Sequence, residues 1–222
     1  MELTEFWTIC SANGINLELE QLKAIERYAS ELVYWNKKIN MVSRADEENL
    51  LEKHVLHSLA ILKYVDLPQK AKCMDVGTGG GLPGIPLKIA RPDLRMLLVD
   101  SINKKIKKAA MFAQHTALKG IEAKAARAEE LAKDKKYRQS YDFIFARAVK
   151  RLEKLAGWVK PLMKPAARLV VMKGGDLREE IEQAQSKFNN LEVQEFLIDL
   201  FGYEQFKVDE KKILICKFKT NN

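Results

Sequence analysis

Asp75, Gly77, Gly79 and Gly81 alternate through the stretch Met74-Asp75-Val76-Gly77-Thr78-Gly79-Gly80-Gly81-Leu82-Pro83-Gly84, and a second acid, Asp100, follows Gly77 by 23 residues. Each acid stands at the end of an apolar run. Glycine permits a sharp turn and lets a ligand approach backbone without a Cβ in the way. A helix beginning behind such a turn offers unpaired N–H groups and a partial positive charge. The spacing to Asp100 is that of a βαβ unit that sets a carboxylate beside a bound ribose. These residues point to a pocket for a nucleotide or nucleoside cofactor.

Three cofactors compete for that pocket. A Walker loop requires GxxxxGK[ST], and no lysine follows these glycines. A dinucleotide fingerprint matches formally at Gly79, Gly81 and Gly84, but it starts late relative to the strand end, and Pro83 and Pro86 crowd the helix start. Read from the strand outward, the pattern is Asp-x-Gly-x-Gly-x-Gly, which resembles the first motif of class I S-adenosylmethionine (AdoMet) methyltransferases. AdoMet has no pyrophosphate to cradle, but its ammonium suits an acid near the turn, here Asp75, often through water. The alternative is that the glycines serve only close strand–helix packing. Asp100 can accept hydrogen bonds from both ribose hydroxyls, or cap the helix after it. Arg127-Ala128-Glu129-Glu130 follows the third strand, where the adenine would lie. A backbone N–H and a carboxylate there could read the adenine edge, and plain helix N-terminal acidity fits the same residues.

The elements that position these groups alternate from Ala71 onward. Strands are predicted at Lys72–Val76, Arg95–Val99, Ile121–Ala125, Tyr141–Ala146, Ala167–Met172, Glu192–Ile198 and Lys212–Phe218. Helices are predicted at about Ile85–Ala90, Asn103–Leu118, Glu129–Lys133, Leu152–Val159 and Leu177–Phe188, the last with a capping box from Asp176 and Glu179. Such alternation implies a parallel sheet covered on both faces. The last two strands, joined without a helix, read as a hairpin, so the last strand is antiparallel. Residues 1–66 read as a helical region, with one helix over Glu18–Asn40 (stripe Leu22, Ile25, Ala29, Leu32, Ile39) and another from about Asp46 to Val65. Fewer than three heptads fit the first, which favours packing within the chain over a coiled coil. The connector 66–70 separates this region from a core over 67–222.

Composition bounds the class. The 222 residues are 47% hydrophobic and 31% charged, an ordinary globule. A net charge of +8 raises the odds of a polyanionic partner. Met1–Glu5 lacks a basic start and apolar core, no apolar run nears the ~20 residues of a membrane helix, and Cys10, Cys73 and Cys216 form no CxxC pairing. A cytoplasmic protein without membrane contact is expected. His54 and His57 lie three apart with no third ligand at metal spacing, so no metal is expected.

Several segments stand in order together: Asp75 through Leu87, Val99-Asp100-Ser101, Lys104-Lys105, Arg127-Ala128-Glu129, Ala146-Arg147-Ala148 and, in the helical part, Lys53-His54-Val55-Leu56-His57-Ser58. By these the chain resembles the RsmG family, also called GidB or glucose-inhibited division protein B, over nearly its whole length. The resemblance implies a class I AdoMet-dependent methyltransferase (Rossmann-like) α/β fold, with a mostly parallel seven-stranded sheet and an N-terminal helical region. It implies AdoMet as cofactor, methylation of N7 of a guanine in the 530 loop of bacterial 16S rRNA, and 16S rRNA or a small-subunit precursor as partner of a monomeric enzyme. Carried over by position, the cofactor contacts are Gly77, Leu82, Asp100, Ser101, Ile102, Ala128, Glu129 and Arg147. Gly80 stands where the family often has Pro or Ala, which should loosen the turn, and His57 stands where Asp is frequent.

N7 of guanine carries a free lone pair, so no proton must leave before attack and no catalytic acid or base is expected. The chain accordingly contains neither [DN]PPY nor a Pro-Cys pair. For RNA, Lys104, Lys105, Lys107 and Lys108, then Lys133, Lys135, Lys136 and Arg138, and then Arg147, Lys150, Arg151 and Lys154 are candidates. Residues just after strand ends ring the ligand crevice, which favours Arg151 and its neighbours as phosphate contacts. Other acceptors, a dinucleotide-dependent oxidoreductase and a non-catalytic RNA-binding protein are the competing readings.

Overall fold

The computed structural model describes residues 1–219. Among these, seven strands form one sheet: β1 Lys72–Val76, β2 Arg95–Asp100, β3 Ile121–Ala125, β4 Tyr141–Arg147, β5 Met163–Gly174, β6 Leu191–Leu197 and β7 Lys211–Phe218, ordered β3-β2-β1-β4-β5-β7-β6. The run β3 to β5 is parallel, and β7 inserts antiparallel between β5 and β6. Strands β1, β2 and β4 are buried along almost their whole length, as central parallel strands covered on both faces must be.

The helices are α1 Leu3–Ala12, α2 Leu19–Asn36, α3 His57–Tyr64, α4 Gly84–Ala90, α5 Asn103–His115, the single turn α6 Ala128–Leu131, α7 Leu152–Val159, α8 Arg178–Lys187 and the single turn α9 Gln205–Val208. Alternation along β4 assigns the two cores. Phe143 and Phe145 point into a cluster with Phe6, Ile25, Leu59, Ile85 and Phe112 of the N-terminal helices, α4 and α5. Ile144 and Ala146 point into the opposite cluster with Leu131, Leu152, Leu155 and Ala184 of α6, α7 and α8. Cys10, Cys73 and Cys216 are buried, and desolvation pushes their thiols up to about 12. Lys88 is buried on α4, and its ammonium is satisfied by the carbonyls of Pro92 and Leu94, closing the turn into β2. No helix among the described residues is long and apolar enough to cross a membrane.

Four expectations are corrected. The first long helix stops at Asn36 rather than Asn40, because the Asn36 carboxamide oxygen accepts the N–H groups of Met41 (2.7 Å) and Val42 (2.9 Å) and so folds the following loop onto the helix end. The expected Asp46–Val65 helix is three pieces: a 3₁₀ segment Arg44–Asn49, a π-helical turn Leu51–Leu56 and α3. Its acidic start is drawn sideways, Asp46 to Lys53 at 3.1 Å and Glu47 to the Asn36 amide at 2.7 Å. The Asp176 capping box does not form: Leu177 occupies the cap position, and Asp176 accepts from the Arg178 N–H and pairs with its guanidinium. The β6–β7 connection contains α9, nucleated around buried Phe206. It is too short for periodicity to register.

Candidate functional site

The C-terminal ends of β1, β2, β3 and β4 meet at a cavity of about 700 Å³, the position at which ligands bind in open α/β sheets. The glycine turn forms its floor. The N–H groups of Gly77 and Thr78 both donate to the Val99 carbonyl, at 2.8 and 3.0 Å, which ties the turn to β2. Gly77 has φ +70°, and a Cβ there would lie 2.6 Å from a Val149 methyl. No other residue fits that position without displacing the cavity wall.

Asp100 ends β2 with 8% of its surface exposed. One carboxylate oxygen accepts the Gly79 N–H at 2.9 Å and the other the Ile102 N–H at 2.8 Å. Each oxygen therefore holds one backbone donor and keeps further acceptor capacity, in a fixed orientation, for a diol in the cavity.

Asp75 clamps the glycine turn. It is fully buried beneath the N-terminal layer and does not line the cavity. One of its oxygens accepts from the Thr78 hydroxyl (2.5 Å) and the Gly84 N–H (2.9 Å), clamping both ends of the glycine turn. The other oxygen has no partner among the described residues, and burial raises the carboxyl to about 7. Gly80 is held just as firmly. Buried Tyr28 of α2 donates its hydroxyl to the Gly80 carbonyl at 3.0 Å, and a Cβ on Gly80 would meet a Leu32 methyl at 2.6 Å. The glycine expected to loosen the turn is where α2 packs closest to it.

Arg147 ends β4 and lines both this cavity and an adjoining one of about 410 Å³. Burial lowers its guanidinium to about 10. It donates to the His54 carbonyl at 3.4 Å and to His54 Nδ1. Because arginine can only donate, His54 carries its proton on Nε2, which faces Asp46 at 3.5 Å. Burial, then Arg147, pushes His54 down to about 4, so it stays neutral. His57 is buried against Phe206, with ring centroids 5.0 Å apart, and burial holds it well below its ordinary value.

Of the residues expected to hold a cofactor, Gly77, Leu82, Asp100, Ser101, Ala128, Glu129 and Arg147 line the cavity together. Ile102 does not. Its side chain is 42% exposed, and it contributes through the N–H that orients Asp100. The wall also includes Met41–Ser43, His54, Val149, Lys150 and Trp158. His54 was visible in the sequence as part of a family segment. Met41–Ser43 carried no signal, since only the Asn36 clamp brings that loop to the sheet. Arg151, expected at phosphates, pairs with Glu179 at 3.4 Å.

Comparison with known proteins agrees with this architecture. Residues 21–208 match the family described as GidB, rRNA small subunit methyltransferase G. The ribosomal RNA small subunit methyltransferase G of Chlorobium phaeobacteroides is 40% identical over 182 residues, 82% of this chain and 80% of that one. That of Halalkalibacterium halodurans is 40% identical over 191 residues, 86% of this chain and 80% of that one. Among solved structures, a SAM-dependent methyltransferase from Aquifex aeolicus superposes with TM-score 0.57 at 18% identity, covering 83% of this chain and 98% of that one. With the strand order above, that likeness identifies the class I methyltransferase fold, as the sequence led one to expect. By sequence and by fold, the chain belongs to the rRNA small subunit methyltransferase G (GidB) family.

Proposed function

We propose that this chain methylates N7 of a guanine in the 530 loop of bacterial 16S rRNA, using AdoMet. The observation that carries the cofactor half is the Asp100 carboxylate, preset by two backbone N–H groups at the cavity floor to receive the two hydroxyls of a ribose. Around it, the first N–H groups of α6 have no intrahelical partner, so Ala128 and Glu129 can meet an adenine edge. Arg147, half-buried and facing no carboxylate at ion-pair distance among the described residues, suits the carboxylate of a bound amino acid moiety. Asp75 acts by holding the turn, a change from the water-bridged ammonium contact its position in the motif implied.

Bound AdoMet supplies a methyl already activated on a sulfonium, and guanine N7 presents a lone pair with no proton to remove. The residues' task is then alignment, which can contribute about 7–11 kcal/mol of barrier lowering. The cavity's side chains accord with a reaction lacking a general base. His54 spends its one acceptor nitrogen on Arg147, and Glu129 lies 3.9 Å from the Arg127 guanidinium. The adjoining cavity, reached past Arg147 and Ala148, is where the acceptor base enters. The reading includes a cytoplasmic, metal-free monomer, with residues 1–66 as a helical region and 67–222 as the catalytic core.

The test is to incubate the protein with labelled AdoMet and unmodified small-subunit particles and to map the product by mass spectrometry. Label at N7 of a 530-loop guanine is the expected result. Transfer to another atom or another RNA would overturn the acceptor assignment, and no cofactor binding would overturn the whole reading.

A further inference from the structure

Two segments that border the cavity carry no acid at all. Residues 32–43 and 101–121 contain neither Asp nor Glu, in a chain with 30 acidic residues. Between them they carry Lys37, Lys38, Lys104, Lys105, Lys107, Lys108 and Lys119, and none of these seven forms an ion pair among the described residues. Some lysines elsewhere are neutralised: Lys53 by Asp46, Lys173 by Glu180, Lys187 by Glu153, Lys212 by Glu195 and Lys217 by Glu192. On the face after β4, which position alone favoured for phosphates, Arg151 pairs with Glu179, whereas Lys150 and Lys154 form no ion pair among the described residues.

The two segments form one surface. Lys108 of α5 lies 3.1 Å from the ring centroid of Trp35 on α2, bridging the helices by a cation–π contact. Lys38 lies 4.7 Å from Trp35 and 4.5 Å from Tyr34. Trp35 is thus covered by ammonium groups; Tyr34, edge-on to it at 5.4 Å, accepts from the Lys38 ammonium at 3.0 Å through its hydroxyl and is still 56% exposed. The surface runs into the cavity at both ends: α2 leads to Met41–Ser43 in its wall, and α5 begins beside Ser101 and Lys105, which also line it.

An exposed aromatic ring among unneutralised lysines matches single-stranded nucleic acid, whose bases stack and whose phosphates follow a positive track. An acidic protein segment would meet the lysines but leave the ring without an apolar pocket around it. We propose that this α2–α5 face docks the single-stranded RNA flanking the target nucleotide, with one base stacked on Tyr34 and phosphates held by Lys37, Lys104 and Lys107. This deepens the proposed function and rests on it.

The experiment measures binding of in vitro transcribed 16S rRNA by filter retention from 50 to 250 mM KCl, with AdoMet affinity by calorimetry as a control. Lys37→Gln/Lys104→Gln/Lys107→Gln should flatten the log K against log salt slope by about 2, at ~0.7 per phosphate contact. Tyr34→Ala should weaken binding about tenfold at every salt with the slope unchanged, and Tyr34→Trp should restore it. Cofactor affinity should stay at the wild-type value throughout. Lys187→Gln/Lys217→Gln/Lys219→Gln, on an unrelated face, should change nothing. An unchanged slope in the first triple variant, or undiminished affinity in Tyr34→Ala, overturns the proposal. Loss of methylation on small-subunit particles with free-RNA binding intact also overturns it, by assigning the face to a protein of the particle. Wild-type protein that binds AdoMet but neither binds nor methylates the RNA would refute the proposed function instead, a result visible before any variant is made.

Discussion

Replacing Asp75 by Asn isolates the energetic cost of the buried carboxylate that clamps the glycine turn. Burial raises this carboxyl from 3.8 to about 7. At about 1.4 kcal/mol per pH unit, full ionisation inside the fold costs about 4 kcal/mol. The sign follows from proton binding. Between those two values the folded protein holds a proton that the unfolded chain has released, so stability falls as pH rises through the window and levels off above 7. Asn keeps an oxygen for the Thr78 hydroxyl and the Gly84 N–H but cannot ionise. Its amide nitrogen takes the place of the unpartnered oxygen, which adds an offset of about 1–3 kcal/mol that does not vary with pH. The difference in stability between wild type and Asp75→Asn should therefore shift by about 3 kcal/mol, against the wild type, from pH 4.5 to pH 8. Urea unfolding followed by circular dichroism at half-unit steps reads this as a relative midpoint shift of roughly 1 M. A difference that stays flat across that range would mean Asp75 ionises normally, and the account of the turn would fail.

Substitutions at Asp100, Gly77 and Tyr28 test the rest of the site. Asp100→Ala removes two charge-assisted acceptors and frees the Gly79 and Ile102 N–H groups, so AdoMet affinity by calorimetry should drop by about two to three orders of magnitude, and Asp100→Asn by about tenfold; an unaltered dissociation constant would remove Asp100 from the pocket. Gly77→Ala forces a Cβ to 2.6 Å from Val149 at φ +70°, and should cost about 1–3 kcal/mol in thermal unfolding. Adding Val149→Ala should recover the steric part but not the backbone strain. Tyr28→Phe leaves the buried Gly80 carbonyl without its donor, and urea unfolding should show a loss of about 1–3 kcal/mol. A change below about 0.3 kcal/mol would show the bond to be dispensable.

The centre of the sheet was legible because β1, β2 and β4 are short, mostly apolar runs separated by helical segments. Strands β1 and β3 begin and end at the expected residues, and β2 and β4 each extend one residue further. The glycine turn and Asp100 were legible because their chemistry depends on residue type and spacing within one βαβ unit. What stayed hidden lies at long sequence separation or in unusual backbone. The Tyr28–Gly80 bond joins positions 52 apart, and nothing local marks Tyr28 as different from any other buried ring. The π-helical turn at Leu51–Leu56 breaks the 3.6-residue period from which the helix was read, and it is this wider turn that carries His54 to Arg147. Such turns often occur at functional positions. Neutralisation of basic residues was also invisible: only the fold shows that Arg151 pairs with Glu179 while Lys104 forms no ion pair among the described residues.

Helix α2 reaches the cofactor turn through Tyr28 and presents Tyr34 and Trp35 less than two turns further along. On the proposed docking face, one continuous helix therefore spans the floor of the cofactor pocket and the surface that would receive the RNA. A shift of this helix to which both ligands respond would couple their affinities. By linkage, the factor by which docked RNA tightens the cofactor equals the factor by which cofactor tightens the RNA. A sequential order of loading and release can then arise without a dedicated lid, because the product cofactor, lacking the charged sulfonium, need only grip the turn differently for the helix to loosen its hold on the RNA.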